Sequence, residues 1–236
     1  VPFMSNYNEL LVDTCHKRGA FGMGGMSAQV IAKANPKEVN EKALAGVKKD
    51  KERELDQGND GAWVAHPSLV EPVKDIFEKN FKGPNQLNKF NNVKINRRDL
   101  LDEPKIDNAI TEQGIRENLN EGIEYMAFWV IGLGCCVVNY LMADAATCEV
   151  SRAQLWVWLK YNVQLDDGRI VDEKLIDELI NDELAKINKR FTAWKERTGD
   201  NSLNHVSFEN AANLFKDMIT KENFDDFLTL PLYEKI

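Results

Sequence analysis

The stretch AFGMGGMSAQVIA, residues 20–32, decides how the first part of this chain folds, because it combines glycines with an apolar run and carries no charge. Uncharged, glycine-rich runs are typical of strands that are buried on both faces, with glycine where backbone or ligand comes close. The glycines match neither the GxxxxGK[ST] nor the GxGxxG spacing, so a phosphate-binding loop is not indicated. We therefore predict a buried strand over this stretch.

Helices are predicted on both sides of this strand, over residues 5–18 and 37–54, because apolar residues recur there every three or four positions. A second short strand, AWVAHP (62–67), follows, and Ser68 and Glu71 have the capping-box spacing that introduces a third helix. Strands that alternate with helices predict a parallel α/β arrangement over residues 1–81.

The pattern changes after this α/β part. Residues 82–110 are rich in Asn and Pro and weakly periodic, which predicts a linker. From residue 111 onward the periodic stretches are helical, with apolar stripes that begin at Ile115, Leu175 and Phe208. We therefore predict an all-α domain over residues 111–236.

The amino-acid composition of the chain argues against several classes of function. The 236 residues carry a net charge of −8, which argues against nucleic acid or an anionic membrane as the main partner. No apolar run approaches the roughly 20 residues of a membrane helix, so no membrane span is predicted. Four cysteines, two of them the adjacent Cys135 and Cys136, suit neither a disulfide framework nor a CxxC metal site. We expect a cytoplasmic protein.

Asp144 is the carboxylate that attracts attention, because it lies among small and apolar residues in YLMADAATCEVSR (140–152), where a helix over Ala145–Tyr161 is predicted to begin. As a helix cap, its side chain would accept backbone N–H bonds from the first turn. The same position would suit a catalytic base, because the neighbouring Met142 and alanines exclude water. Both interpretations stay open on the residues alone.

His66 raises a similar choice, because AHP ends the second predicted strand and ligands gather at the carboxyl ends of parallel strands. A structural role and a ligand-binding role are both compatible with this placement. Trp156 and Trp158 lie two apart on one predicted helix and so face different sides. We expect one to pack in the core and the other to meet a neighbouring domain or a ligand.

Several motifs together resemble the malate synthase family, in its A or glyoxysomal-type branch. They occur in the family's order from the beginning of the chain to its end: CHKRGAFGMGGMSA (15–28), DGAWVAHPSLVEPV (60–73), GPNQL (83–87), LMADAATCEVSRAQLWVWL (141–159) and DFLTLPLYE (226–234). The resemblance implies the last two βα units of a TIM barrel followed by a helical C-terminal plug domain, that is, α/β plus all-α. Since Val1 reads as the middle of a domain, we expect the C-terminal half of a longer chain.

The resemblance also implies an activity. Family members condense acetyl-CoA with glyoxylate and hydrolyse the product to malate, using Mg²⁺. Asp144 matches the aspartate that removes a proton from the acetyl methyl group, and Met142, Pro67 and His66 resemble positions that line the acetyl-CoA channel. The family's metal-binding carboxylates and its enolate-stabilising arginine lie upstream, so no metal ligand is expected within this chain, and the chain alone is not expected to catalyse.

One residue departs from the family pattern, because Ala143 stands where the family usually has Glu before the catalytic aspartate. Two other functions therefore remain as alternatives. One is a non-catalytic helical module for binding or assembly, derived from the family. The other is a related acyl-CoA lyase or synthase that uses the same enolate chemistry on a different aldehyde or keto acid.

Overall fold

The computed structural model describes residues 2–101 and 109–235. The chain divides into two compact units, Val1–Asp107 and Asn108–Ile236. The division falls inside the segment 82–110, where the sequence predicts a linker.

The first unit alternates helices with two short strands. Its elements are α1 (Pro2–His16), β1 (Met23–Ser27), α2 (Lys37–Gln57), β2 (Gly61–Val64), α3 (Val70–Asn80) and α4 (Arg97–Leu101). β1 and β2 are parallel, with Met23 opposite Gly61 and Ser27 opposite Val64, and the register shifts between these pairs. The parallel pairing of strands joined by a helix confirms the α/β prediction.

The core of the first unit lies between α2, α3 and the segment that connects β2 to α3. Apolar residues on one face of each helix meet there because they are spaced three or four apart. The buried members are Val47, Leu55, Leu69, Val73, Ile76 and Phe77. Pro72 lies in the first turn of α3, where a missing N–H disturbs no helical hydrogen bond.

The prediction of a strand buried on both faces over residues 20–32 is wrong in length and in burial. β1 has five residues, and Met23 and Met26 remain 43% and 42% exposed. Gly24 is buried, because α2 covers it: a Cβ there would lie 1.9 Å from the Oε2 atom of Glu54. The glycine therefore admits a buried carboxylate, whose partner Lys51 donates a 2.6 Å hydrogen bond to the carbonyl of Gly25.

The first part of the predicted linker is ordered against the first unit. The backbone N–H of Gln86 donates to Asp60 at 2.7 Å, and the backbone N–H groups of Asn91 and Val93 donate to Asp13 at 2.8 and 3.1 Å. The buried carboxylates of Asp60 and Asp13 thus accept hydrogen bonds from the backbone N–H groups of an irregular segment that has no β-sheet partner. Residues 102–108 of the predicted linker lie outside the described part of the chain.

The second unit is built on four longer helices, α5 (Glu112–Val130), α6 (Ala145–Lys160), α7 (Glu173–Thr198) and α8 (Phe208–Thr220), with the short α9 (Thr229–Leu232) near its end. Its core takes in the three predicted stripes, which begin at Ile115, Leu175 and Phe208. Those stripes are confirmed as the faces that pack together.

The all-α prediction for the second unit is wrong before α6, because β3 (Cys136–Val138) and β4 (Leu141–Ala143) form an antiparallel hairpin. A short apolar run reads the same for a strand as for a buried helix, so periodicity alone could not separate them. The hairpin lies directly before α6. None of the described helices is both long and apolar enough to cross a membrane.

Glu124 gives the second unit a pH dependence that can be tested. Burial raises the pKa of this carboxyl on α5 above its ordinary value of 4.5, although the charge of Arg190 lowers it in part. Because the folded pKa is the higher one, the stability contributed by protonated Glu124 is fully present below pH 4.5 and is lost as the pH rises through the folded pKa.

We therefore expect Glu124→Gln to flatten the pH dependence of stability. Urea unfolding of the chain at pH about 4.5 and about 7.5 should show a smaller loss of unfolding free energy for the variant than for the unchanged chain. Glu117→Gln, an exposed position on the same helix, is the matched control and should leave the difference in place. Equal pH dependence in the unchanged chain and Glu124→Gln would contradict the prediction.

Candidate functional site

Asp144 is the N-cap of α6, so the capping interpretation is confirmed. Its Oδ1 atom accepts a 3.1 Å hydrogen bond from the backbone N–H of Thr147, and its own backbone N–H donates to the Thr147 hydroxyl at 2.9 Å. The two residues thus form a reciprocal capping box. This arrangement satisfies donors that the first helical turn would otherwise leave unpaired.

The second carboxylate oxygen of Asp144 is in a different situation. The side chain is half-buried, and within residues 2–101 and 109–235 the Oδ2 atom has no hydrogen-bond partner. Capping therefore uses one oxygen and leaves the other for a further contact. The cap also restricts the carboxylate to one orientation relative to α6, as a base needs.

The β3–β4 hairpin carries the chain into this cap. Val137 pairs with Met142, and Cys136 pairs with Ala143, so the last strand residue stands next to Asp144. The turn consists of Asn139 and Tyr140, both with positive φ, at 49° and 66°. Positive φ at both central residues is typical of the type I′ turn, whose twist matches a two-residue hairpin.

Asn139 also attaches the hairpin to α5. Its side-chain amide donates a 3.1 Å hydrogen bond to the side-chain oxygen of Asn120. Tyr125, on the same helix, donates from its hydroxyl to the carbonyl of Gly134 at 3.3 Å. The turn of the hairpin and the segment just before β3 are therefore both anchored to α5.

The groups beside Asp144 are held in their neutral forms. Burial raises the pKa of Tyr125 to about 12, and the nearby charge of Asp144 adds to this. Burial likewise raises the pKa of Cys136 to about 12 and raises the pKa of the Cys148 thiol. Tyr125, Cys136 and Cys148 are therefore protonated at neutral pH and carry no negative charge beside Asp144.

Ala143 points into the core of the second unit and is 1% exposed. A carboxylate at this position would be buried among apolar side chains, at a cost of several kcal/mol unless it found a partner. Met142, on the opposite face of β4, is half-buried. Side chains alternate along β4, so Ala143, the residue that departs from the family pattern, faces the core, and Met142 faces the opposite side.

His66 and Pro67 belong to the first unit, just after β2. The Nδ1 atom of His66 accepts a 3.2 Å hydrogen bond from the backbone N–H of Ser68 and lies 2.7 Å from its hydroxyl. The ring thus caps the 3₁₀ turn Pro67–Leu69. The capping box predicted for Ser68 and Glu71 is wrong, since His66 caps this turn and the N-cap of α3 is Leu69, without a side-chain bond.

The four predicted site residues therefore fall into two pairs. Met142 and Asp144 are together at the junction of β4 with α6, and His66 and Pro67 are together beyond the carboxyl end of β2. Thr147 was missed by sequence reasoning, although the spacing D-x-x-T was visible as a capping signal. Among the described residues, no group of three or more His, Cys, Asp or Glu side chains could hold a metal ion.

Two family models match the chain in succession. The malate synthase TIM barrel domain matches residues 1–103, and the malate synthase C-terminal domain matches residues 109–236.

Individual relatives agree with these models. The chain is 43% identical to the malate synthase of Myxococcus xanthus over 99% of its length, and 40% identical to the glyoxysomal malate synthase of Candida tropicalis over 100%. It is 39% identical over 100% of its length to the bifunctional glyoxylate cycle protein of Caenorhabditis elegans. The chain spans 42%, 41% and 23% of these three relatives, respectively.

Proposed function

The chain belongs to the malate synthase family, and on this premise we propose that it supplies the catalytic base for the condensation of acetyl-CoA with glyoxylate. The base is Asp144. The observation that supports this role most directly is that its two carboxylate oxygens differ in their hydrogen bonding. Oδ1 is engaged with the backbone of Thr147 at 3.1 Å, and Oδ2 is left for the substrate.

The proposed chemistry uses few protein groups. Asp144 takes one proton from the methyl carbon of acetyl-CoA, and the electron pair left behind forms an enolate of the thioester. The enolate carbon attacks the aldehyde carbon of glyoxylate and forms the new C–C bond, and the resulting alkoxide takes up a proton. Water then cleaves the thioester, which releases CoA and malate.

Asp144 contributes through placement more than through basicity. A thioester methyl group is a weak carbon acid, so an accurately placed carboxylate gains most from proximity and orientation. The capping box fixes one oxygen, and the hairpin and α5 fix the backbone on which Asp144 stands. Tyr125, Cys136 and Cys148 are neutral and so add no negative charge that would oppose formation of the enolate.

The remaining site assignments are part of the same proposal. From the family resemblance we also propose Met142, next to the base, and Pro67 and His66, at the carboxyl end of β2, as residues that bind acetyl-CoA. Pro67 is exposed and His66 is half-buried, so both offer surface to a ligand. His66 would contact a ligand through its ring face or its Nε2 atom, because its Nδ1 atom is already used by Ser68.

Magnesium and the wider architecture are also proposed from the family resemblance. The described residues present no carboxylate cluster that fits Mg²⁺, and no step above depends on one. We assign its ligands to a partner part outside these 236 residues. Residues 1–81 are proposed as the last two βα units of a TIM barrel, and residues 111–236 as the helical plug domain. A cytoplasmic location is likewise a proposal.

The proposed function can be tested with a chimera, in which this chain replaces the matching 42% of the Myxococcus xanthus malate synthase. Release of free CoA thiol is then measured in the presence of acetyl-CoA, glyoxylate and Mg²⁺. We expect glyoxylate-dependent thiol release from the chimera and none from the chain alone. The unmodified Myxococcus xanthus protein is the positive control.

The outcomes separate the alternatives. A folded chimera that releases no thiol with any acceptor would favour the non-catalytic binding or assembly module, to which Ala143 also points. Thiol release with another aldehyde or keto acid, but not with glyoxylate, would favour a related acyl-CoA lyase or synthase. Either result would overturn the proposed malate synthase activity.

A further inference from the structure

The segment that follows α8 runs back along one face of α6. Residues 221–232, which we call the strap, continue from the end of α8 through α9, and Leu228 and Leu232 are fully buried. The face of α6 beneath the strap carries Glu149, Arg152, Trp156 and Lys160. Their spacing of three or four places these side chains on one side of the helix.

The first two of these residues hold the strap closest to the start of α6. Glu149 accepts a 2.6 Å hydrogen bond from the backbone N–H of Leu228 through one oxygen, and a 2.9 Å bond from the Nε of Arg152 through the other. The Nη2 atom of Arg152 donates to the carbonyl of Asp225 at 3.0 Å. The guanidinium also lies 3.9 Å from the centre of the Phe224 ring.

The last two residues extend the contact toward the end of α6. The indole N–H of Trp156 donates to the carbonyl of Lys221 at 2.8 Å, and Lys160 donates to the carbonyl of Glu222 at 3.2 Å. Trp158 packs against the core, as expected for one of the two tryptophans. Trp156 meets the strap of its own unit, in place of the neighbouring domain or ligand expected from the sequence.

Arg152 makes this attachment difficult to release. It is 0% exposed, and within the described part of the chain its Nη1 atom is buried without a hydrogen-bond partner. The cation therefore depends on Glu149, on the Asp225 carbonyl and on the Phe224 ring. Separating a buried charge from its partners is strongly unfavourable, so the strap and α6 are expected to move as one body.

This attachment bears on Asp144 because both belong to α6. Glu149 follows Asp144 by five residues, which corresponds to about 7.5 Å along a helix axis. Asp144 begins the helix, so any rotation of α6 carries its carboxylate along. A rotation of about 10° would displace a side-chain tip about 5–6 Å from the axis by about 1 Å. Misplacement of a catalytic group by about 1 Å can lower a rate about 100-fold.

We propose that Arg152 is a positioning residue, which acts through Glu149 and the strap to fix the rotation of α6 and thereby the place of the Asp144 carboxylate. This assignment rests on the proposed function of Asp144 as the base. The strap would then be a part of the active-site scaffold, although it touches neither Asp144 nor the reacting atoms.

One test does not depend on activity. The rotation of α6 is followed by NMR through the nuclear Overhauser effect between the side chains of Gln154 on α6 and Asn118 on α5, which share a 2.9 Å hydrogen bond, in the chain with Arg152→Met and with Glu149→Gln. We expect this cross-peak to weaken at least about twofold in both variants, because a rotation of α6 by about 10° displaces its side-chain tips by about 1 Å relative to α5. Lys216→Met, which removes a cation from a surface ion pair with Asp177, is the control and should leave the cross-peak unchanged. An unchanged cross-peak in both test variants would overturn the proposal.

A second test uses the chimera and separates positioning from loss of folded protein. We expect Arg152→Met to lower kcat about 100-fold with little change in KM for acetyl-CoA, and to increase the isotope effect with methyl-deuterated acetyl-CoA. A smaller folded fraction would lower kcat and leave the isotope effect unchanged, and this result would overturn the proposal.

The two tests also distinguish a failure of the positioning role of Arg152 from a failure of the proposed function of Asp144. If Arg152→Met does not fold, Glu149→Gln, which retains an acceptor for Leu228, is judged by the same readouts. If the unmodified chimera is inactive, the proposed function fails, and the cross-peak between Gln154 and Asn118 alone decides whether the strap positions α6.

Discussion

Asp144→Asn should lower the turnover of the active chimera about 1,000-fold while the protein remains folded, since a general base contributes about 100- to 10,000-fold. Asparagine retains the oxygen that accepts from the Thr147 amide and is as good a helix cap as aspartate. What it loses is the ability to take a proton from carbon. Thiol release with acetyl-CoA and glyoxylate measures the loss, and circular dichroism measures the fold.

The matched control is Asp172→Asn. Asp172 is the N-cap of α7, and its carboxylate accepts a 2.8 Å hydrogen bond from the backbone N–H of Leu175. The same chemical change is thus made at a second cap, and it should leave turnover within about twofold, because the cap bond survives. Turnover near the unmodified level in Asp144→Asn, or an equal loss in both variants, would disprove the base assignment.

Gly122→Ala should destabilise the second unit by about 2 kcal/mol, which is the largest effect that we expect from a single added carbon. Gly122 lies inside α5 directly against the buried ring of Phe215 on α8, and a Cβ there would lie 2.2 Å from the Cζ atom of that ring. The ring cannot remain in place. The strain exceeds the roughly 1 kcal/mol that alanine gains over glycine in a helix.

Two further variants isolate the cause. Gly114→Ala, in the first turn of α5, should be neutral or stabilising by up to about 1 kcal/mol, because its Cβ would be in ordinary contact, 3.5 Å from the Thr111 hydroxyl. Phe215→Leu combined with Gly122→Ala should recover about 1–2 kcal/mol relative to the sum of the single changes. Strict additivity in urea unfolding would show that the ring is not the obstacle.

The helices were predictable because their signal is local. A stripe of apolar residues at intervals of three and four identifies a helix face without knowledge of its partner, and Ile115, Leu175 and Phe208 all lie in the core. The burial of β1 was not predictable in this way. Apolar composition indicates that a strand tolerates burial, but the exposure of Met23 and Met26 depends on which elements cover them.

The candidate site was predictable only in part. The capping role of Asp144 followed from its position before a helix, but spacing alone could not show that Thr147 engages only its Oδ1 atom. The hairpin was missed because strands of three residues are too short to show alternation. The strap was missed because Arg152 and Asp225 are 73 residues apart, and a contact of that range leaves no local pattern.

The two-residue turn at Asn139 and Tyr140 has a consequence for how this site can be varied. A strand alternates its side chains, so an inserted residue that shifted the pairing of β4 by one would exchange its faces and turn Met142 toward the core and Ala143 away from it. Asp144 would lose its alignment with α6 at the same time. Insertions into this turn are therefore compatible with the site only where the extra residue is taken up as a bulge that keeps the register of β4. Substitution at fixed length avoids this requirement.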